Sequence, residues 1–203
     1  MQIIIHRVNT IEKLREIPKR FGVEIDVRGY GSKLLLSHDP IDEKQNYTDL
    51  EDFLKEYEHK TLVFNMKEAG YEERVLRLAE WHGIKDFFLL DVEFPYLYKA
   101  TRNNMNRKIA VRFSEAEPIE YVERQMHEDR PLLDWVWIDT NTQLPVTRHN
   151  KNVLETFKTC LVCPERWGRP EDIPKYKEEL VKIGFRVDAV MTSMKYAGEW
   201  ELF

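Results

Sequence analysis

The sequence is poor in cysteine and contains no long apolar run. Its two cysteines, Cys160 and Cys163, lie in TCLVCPE without a second Cys or Cys–His pair, so we expect core packing rather than a redox or metal site. No stretch approaches the roughly 20 apolar residues that cross a bilayer. The first residues, MQIIIHRVNT, lack the basic region of a signal peptide. We therefore expect a cytoplasmic protein without a transmembrane segment.

An excess of positive charge is also absent. The formal net charge is −5 at pH 7, so the chain offers no broad basic surface and we expect no nucleic-acid partner. A local basic pocket for one small phosphate remains compatible with this balance. The length of 203 residues and the hydrophobic content of 42% fit a single domain, residues 1–203, with a sizeable core. Nothing in the composition indicates an oligomeric state.

Apolar strand patterns alternate with helix patterns along the whole chain. We expect strands at 3–7, 23–28, 33–38, 61–67, 86–94, 107–113, 134–140, 159–165 and 187–193. We expect helices at 10–21, 48–57, 71–82, 95–105, 118–127, 152–157, 170–182 and 195–203. Thr10 is the expected N-cap of the first helix, and Thr48 to Glu51 forms an expected capping box. Gly83 and Gly184 are expected helix ends.

Eight strand–helix units result if the segment 33–38 is a short β excursion after the second strand. Units of roughly 25 residues suit a compact (β/α)8 TIM barrel of the α/β class. The strands are nearly continuous apolar runs, as parallel strands covered by helices should be. An open doubly wound sheet is the main alternative, but no Gly-rich phosphate loop follows any strand.

Polar residues collect where the predicted strands end. In (β/α)8 barrels the functional residues lie at the carboxyl ends of the strands. Such residues follow every predicted strand of the ring, which indicates a polar pocket: His6, Arg7, Glu24, Asp26, Arg28, Asn65, Lys67, Asp91, Glu93, Arg112, Ser114, Asp139, Glu165, Thr192 and Ser193.

Glu24 and Asp26 are the most informative of these polar residues. They are two positions apart on one strand, so their carboxylates share a face, with Cα atoms about 7 Å apart. Two like charges held this close need positive charge between them. A divalent cation such as Mg²⁺ or Ca²⁺ meets that need, and salt bridges to Arg7, Lys67 or Arg112 are the alternative.

Two histidines add acid–base chemistry to this acidic pair. His6 and His38 end separate strands, and an imidazole exchanges a proton near neutral pH. Arg7, Lys67 and Arg112 supply the charge and hydrogen-bond donors that a phosphate requires. Metal, histidines and cations together suit cleavage of a phosphodiester, with one histidine deprotonating a nucleophile and the other protonating the leaving oxygen.

The same residues resemble a known family. The order HR after the first strand, ExD (Glu24, Asp26) in the second, HD (His38, Asp39) after the excursion, and a later xMK resembles the glycerophosphodiester phosphodiesterase family. That family is grouped with the barrel phosphodiesterases that include bacterial phosphatidylinositol phospholipase C and sphingomyelinase D. The segment VDAVMTSM resembles its last strand, so the resemblance spans essentially the whole chain.

The resemblance implies a role for each matched residue. His6 and His38 would be the acid–base pair, and Arg7 and Lys67 would hold the phosphate. Glu24 and Asp26 would bind the divalent metal. The family reaction uses a hydroxyl next to the phosphodiester as internal nucleophile, and water then opens the cyclic phosphate.

Two departures from the family pattern affect the expected site. Val8 stands where the family has Gly, and the segment that usually follows HRG is missing. Asn65 stands where the family has a third metal-binding Glu, so the expected ligand set is Glu24, Asp26 and Asn65, one negative charge short. Asp91, at the end of the next strand, would be the residue to compensate.

Two further functions compete with a metal-dependent phosphodiesterase. The chain could be a catalytically impaired barrel that binds a phosphorylated ligand or a partner without turnover, because Asn65 and the HRVNT segment depart from the family pattern. It could also be a metal-dependent lyase or aldolase on the same fold. That hypothesis explains the carboxylates but accounts less well for two histidines and three cations.

Overall fold

The structure is a computed structural model that describes residues 1–201 and 203. Its strands are β1 Gln2–Ile5, β2 Gly22–Tyr30, β3 Lys33–Leu36, β4 Leu62–Met66, β5 Phe87–Leu90, β6 Ala110–Phe113, β7 Met126–His127, β8 Arg130–Pro131, β9 Trp135–Ile138, β10 Lys158–Val162 and β11 Ala189–Thr192. Its helices are α1 Ile11–Glu16, α2 Leu50–Lys55, α3 Glu72–Trp81, α4 Phe94–Arg102, α5 Ile119–Glu123, α6 Lys151–Leu154, α7 Ile173–Ile183 and α8 Ala197–Glu201. Two 3-10 turns precede α7, at Pro164–Trp167 and Pro170–Asp172.

Contacts divide the described chain into two compact units. The N-terminal unit is Ile4–Glu93, and the C-terminal unit is Met1–Ile3 with Phe94–Phe203. In the N-terminal unit, β1, β2, β4 and β5 pair in that order, all parallel. Strand β3 pairs antiparallel with β2 and is the expected excursion.

The C-terminal unit has its own parallel strands. Strand β9 pairs with β6 on one side and β10 on the other, and β10 pairs with β11. A separate two-stranded hairpin joins β7 to β8. This hairpin corrects the helix expected at 118–127, because α5 ends at Glu123 and the chain turns back through Glu128, which has a left-handed φ of 54°.

The order of elements is that of the (β/α)8 class expected from the sequence. Among the described residues, eight strands are parallel and each is followed by a helix before the next parallel strand begins. The strands are short and almost fully buried, which suits parallel strands covered by helices. None of the described helices combines the length and apolar character that a membrane crossing requires.

Strand β2 shows how one sequence stretch builds both the core and the polar side of the N-terminal unit. Val23, Ile25 and Val27 alternate with Glu24 and Asp26, and all five are buried. Because successive side chains of a strand point to opposite faces, the apolar set packs on one face and the acidic set lies on the other.

Helix α2 begins one residue later than the expected capping box. Asp49 is its N-cap, and the Asp49 carboxylate accepts a hydrogen bond from the Glu51 amide at 2.9 Å. The Thr48 carbonyl instead accepts from the Leu36 amide at 2.9 Å. Thr48 is therefore held in strand-like pairing beside β3, and the helix starts only after it. The Thr10 cap of α1 is confirmed, since its side chain accepts from the Lys13 amide.

Candidate functional site

Glu24 and Asp26 lie side by side on β2, at the centre of the N-terminal unit's polar residues. Glu24 is 4% exposed and Asp26 is fully buried. In the parallel pairing of β2 with β4, Asp26 lies opposite Asn65. Strand register therefore brings two buried carboxylates and one amide together, as the ExD pattern and the NMK segment predict.

Both oxygens of Glu24 accept hydrogen bonds. The Arg7 amide donates to Oε2 at 2.7 Å, and Nδ2 of Asn65 donates to Oε1 at 2.9 Å. Burial raises the pKa of Glu24, and the nearby charge of Asp26 adds to the effect, while the two hydrogen bonds oppose it. A positive charge close to this buried group would stabilise its ionised form.

Asp26 is held by Asn9 and Lys67. Nδ2 of Asn9 donates to Oδ2 at 2.8 Å, and Oδ1 of Asn9 accepts from the Asp26 amide at 2.9 Å. The Lys67 ammonium forms an ion pair with Oδ1 at 2.9 Å. The sequence interpretation assigned Asn9 no role, because its part depends on a loop conformation that no periodic pattern encodes.

Arg7 links the first strand to His38. An Nη atom of its guanidinium lies 2.6 Å from Nε2 of His38, and Nδ1 of His38 lies 2.8 Å from Oδ1 of Asp39. Since a guanidinium only donates, Nε2 is the accepting nitrogen and Nδ1 carries the hydrogen shared with Asp39. That hydrogen bond lowers the pKa of Asp39. The imidazole is thus oriented with its one lone pair on Nε2, where it accepts from Arg7.

Lys13 is a second residue that sequence reasoning missed. From α1, its ammonium donates to the carbonyls of Arg7 at 2.5 Å and His6 at 3.4 Å. Burial lowers its pKa, and Glu24 partly offsets the shift. Lys13 supports the turn in which Arg7 adopts a left-handed φ of 52°, a conformation that costs a non-glycine residue about 1 kcal/mol. Its helix position alone gave no signal of this contact.

Arg28 holds the segment that carries His38. Its guanidinium donates to the His38 carbonyl at 3.0 Å and pairs with Glu68 at 3.0 Å. Glu68 also accepts from the Gly29 amide at 3.0 Å. Arg28 was expected on the polar face of β2, and the structure gives it this supporting contact.

The remaining expected residues are His6, Arg112 and Asp91. His6, directly before Arg7, is half-buried. Arg112 belongs to the C-terminal unit, where its guanidinium pairs with Asp139. Asp91 follows β5, is exposed, and has a left-handed φ of 60°. The roles expected for His6 in catalysis and Arg112 in substrate binding stay predictions.

The oxygen donors at Glu24, Asp26 and Asn65 fit a hard divalent cation that is weakly held. Carboxylate and amide oxygens are the ligands that Mg²⁺ and Ca²⁺ prefer, and Oδ1 of Asn65 is buried without a hydrogen-bond partner. However, all four carboxylate oxygens already have a protein partner within 2.9 Å. Within residues 1–201 and 203, no group of three or more His, Cys, Asp or Glu side chains is placed to hold a metal ion. The expected ligand set stays a prediction.

The two cysteines are core residues, as expected. Cys160 and Cys163 are both fully buried and unbridged. The indole N–H of Trp200 donates to Sγ of Cys163 at 3.2 Å. Both cysteines lie in the C-terminal unit.

Comparison with known proteins finds likeness in structure only. No protein-family model and no curated protein sequence matches the chain. A glycerophosphodiester phosphodiesterase from Agrobacterium tumefaciens str. C58 matches with a TM-score of 0.62 and 11% identity, covering 94% of this chain and 96% of its own. A glycerophosphoryl diester phosphodiesterase from Parabacteroides distasonis ATCC 8503 matches with a TM-score of 0.58 and 13% identity, covering 94% and 81%.

These likenesses establish the fold. They confirm the (β/α)8 class over nearly the whole chain, and both solved structures carry the name of the family that the sequence motifs resemble. At 11% and 13% identity they assign no activity to this chain.

Proposed function

We propose that this chain is a phosphodiesterase that hydrolyses a glycerophosphodiester-type substrate. One observation carries the proposal: Arg7 joins His38 to Glu24 through two contacts, at 2.6 Å and 2.7 Å. A candidate base, a candidate phosphate-binding cation and the acidic pair are thereby brought together in the N-terminal unit. The names of the two structurally similar proteins support the choice of substrate class.

His38 is suited to accept the proton of the nucleophile. Its Nε2 is the accepting nitrogen, and Asp39 fixes the tautomer by accepting a hydrogen bond from Nδ1–H. When the Arg7 guanidinium turns from Nε2 to a phosphate oxygen, a hydroxyl next to the phosphodiester gives its proton to Nε2 as the hydroxyl oxygen bonds to phosphorus. The bond from phosphorus to the leaving oxygen breaks, and His6 gives that oxygen a proton. Water then opens the cyclic phosphate with the proton transfers reversed.

Arg7 and Lys67 are the proposed phosphate-binding residues, with Arg112 as a predicted third. The Arg7 guanidinium presents several N–H donors, so the one that faces Nε2 of His38 can turn to a phosphate oxygen when substrate binds. Glu24, Asp26 and Asn65 would hold the predicted divalent cation, Mg²⁺ or Ca²⁺. When bound, such a cation supplies positive charge that offsets the charge building up on the phosphate oxygens. The cytoplasmic location also stays a prediction.

A panel of phosphodiesters tests the proposal. The purified chain is incubated with glycerophosphodiesters, a phosphatidylinositol-type diester and a nucleotide diester, each with Mg²⁺, Mn²⁺ or Ca²⁺. We expect turnover of at least one glycerophosphodiester, and its loss in the His6→Ala, His38→Ala double variant. His127→Ala, an exposed histidine of the β7–β8 hairpin, is the matched control and should retain full activity.

The alternative function is binding of a phosphorylated ligand or a partner without turnover. Asn65 favours it, because its amide donates to Glu24 where the family pattern has a third carboxylate. This alternative predicts saturable binding of a phosphodiester with no product for any metal. A rate that depends on His38 would exclude it.

A further inference from the structure

Lys67 is involved in two of the proposed binding roles, that for the phosphate and that for the divalent cation. It follows the last residue of β4, and its backbone amide donates to the Val27 carbonyl at 3.0 Å. Its ammonium lies 2.9 Å from Oδ1 of Asp26. The same side chain is the predicted phosphate ligand, and the same carboxylate oxygen belongs to the predicted cation ligands. Both predictions therefore require the Lys67–Asp26 contact to change.

Asp26 and Lys67 differ in how deeply their side chains are buried. The Asp26 side chain is 1% exposed and accepts a hydrogen bond from Asn9, whose Oδ1 also accepts from the Asp26 backbone amide, whereas the Lys67 side chain is 17% exposed. Asp26 is thus the more constrained partner, while the flexible stem of Lys67 allows its head group to turn toward solvent or a ligand. If the contact changes, Lys67 is the partner that moves.

Lys13 provides a comparison inside the same cluster. Its ammonium also faces the acidic pair, but it is committed to the backbone carbonyls of Arg7 and His6. Those carbonyls belong to the backbone of the turn that follows β1. Of these two lysines, Lys67 is therefore the one free to exchange an acidic partner for a phosphate.

We propose that Lys67 couples cation binding to phosphate binding: it holds Asp26 before a divalent cation binds, and it moves to the phosphate when the cation takes its place. The proposal rests on the proposed function and specifies how that site is loaded. A divalent cation on Asp26 would repel an ammonium at hydrogen-bond distance, which drives Lys67 off the carboxylate. A phosphate gives the displaced ammonium a new partner, so each ligand strengthens binding of the other.

The coupling is measured by calorimetric titration of Mg²⁺ into the full chain, with and without inorganic phosphate, after correction for magnesium phosphate formed in solution. We expect phosphate to tighten Mg²⁺ binding by about 5-fold or more, within the usual range for linked sites. In Lys67→Met, Mg²⁺ alone should bind more tightly than in the unaltered chain, because the competing ammonium is gone, and the effect of phosphate should vanish. Lys19→Met, which removes an exposed lysine that pairs with Glu58, should behave like the unaltered chain.

Each outcome of this titration decides the proposal. Equal Mg²⁺ affinity with and without phosphate, or no gain of affinity in folded Lys67→Met, overturns it. If Lys67→Met does not fold, Lys67→Gln takes its place, and the titrations of the unaltered chain still decide the coupling. Because no turnover is measured, a chain that fails to hydrolyse any phosphodiester would overturn the proposed function and leave this result standing.

Discussion

The guanidinium of Arg7 lies 2.6 Å from Nε2 of His38, although the two residues are 31 positions apart in the chain. The contact forms because β1 and β2 are parallel neighbours and β3 folds back on β2, which places the residues after β1 and β3 close together. The contact between Arg7 and His38 joins the HR motif to the HD motif. The proposed phosphodiesterase function depends on this pair.

Replacing Arg7 separates its chemical role from its backbone role. Both Arg7→Gly and Arg7→Ala remove the guanidinium, so kcat/KM for a phosphodiester should fall by about 100-fold in each. Only glycine relieves the left-handed φ of 52°, so the Gly variant should be about 1 kcal/mol more stable to urea than the Ala variant. Equal stability of the two variants would contradict the assigned backbone conformation, and full activity in either would contradict the role of the guanidinium.

Asp39→Asn tests how His38 is oriented. The hydrogen bond from His38 lowers the pKa of Asp39, so this exposed carboxylate stays ionised down to acidic pH and fixes the Nδ1 hydrogen. The amide cannot enforce that tautomer, so we expect kcat to fall by about 10-fold or more with little change in unfolding temperature. The matched control is Asp52→Asn, an exposed acid paired with Lys55, which should leave kcat unchanged.

Asn9→Ala removes two hydrogen bonds from buried Asp26. Leaving that carboxylate with fewer donors should destabilise the fold by about 1–3 kcal/mol in urea denaturation and lower activity as well. Asn104→Ala changes an exposed asparagine of the C-terminal unit and should be neutral. A neutral Asn9→Ala would show that the Asn9–Asp26 contacts do not stabilise the protein.

The cysteines give a test that depends on pH. Burial raises the pKa of the Cys163 thiol above its ordinary value of 9.0, so the neutral thiol is favoured in the folded protein. Its contribution to stability is therefore present in full below the unfolded-state pKa and is lost as the pH rises through the raised pKa. We expect neither cysteine to react with a thiol reagent at pH 8 until denaturant is added. Rapid labelling of the native protein would contradict core packing at Cys160 and Cys163.

Much of the fold could be predicted because it depends on local pattern. The strand–helix alternation, the β3 excursion and the Thr10 cap follow from periodicity and capping chemistry that neighbouring residues encode. The expected helix at 118–127 was wrong in its second half, where a tight turn at Glu128 starts a hairpin. The cap at Asp49 was missed because pairing with β3, a tertiary effect, delays the start of α2.

The part of the candidate site that could be predicted is the part in which strand alternation decides which side chains share a face. Glu24 and Asp26 had to share a face of β2, and the parallel register brings Asn65 beside them. Asn9 and Lys13 were missed because their contacts depend on the conformation of the turn after β1, which a single sequence does not reveal. The strand-end rule named both Arg112 and Asp139 but did not show that they pair with each other.

The most direct test of the account follows the phosphorus resonances of a glycerophosphodiester by ³¹P NMR in the presence of Mg²⁺. With the unaltered chain, the account predicts loss of the diester signal, a transient cyclic phosphate and accumulation of a phosphomonoester. The His6→Ala, His38→Ala variant, once shown to be folded, should leave the diester intact. An unchanged diester signal with the unaltered chain, or equal turnover by the double variant, would contradict the central claim.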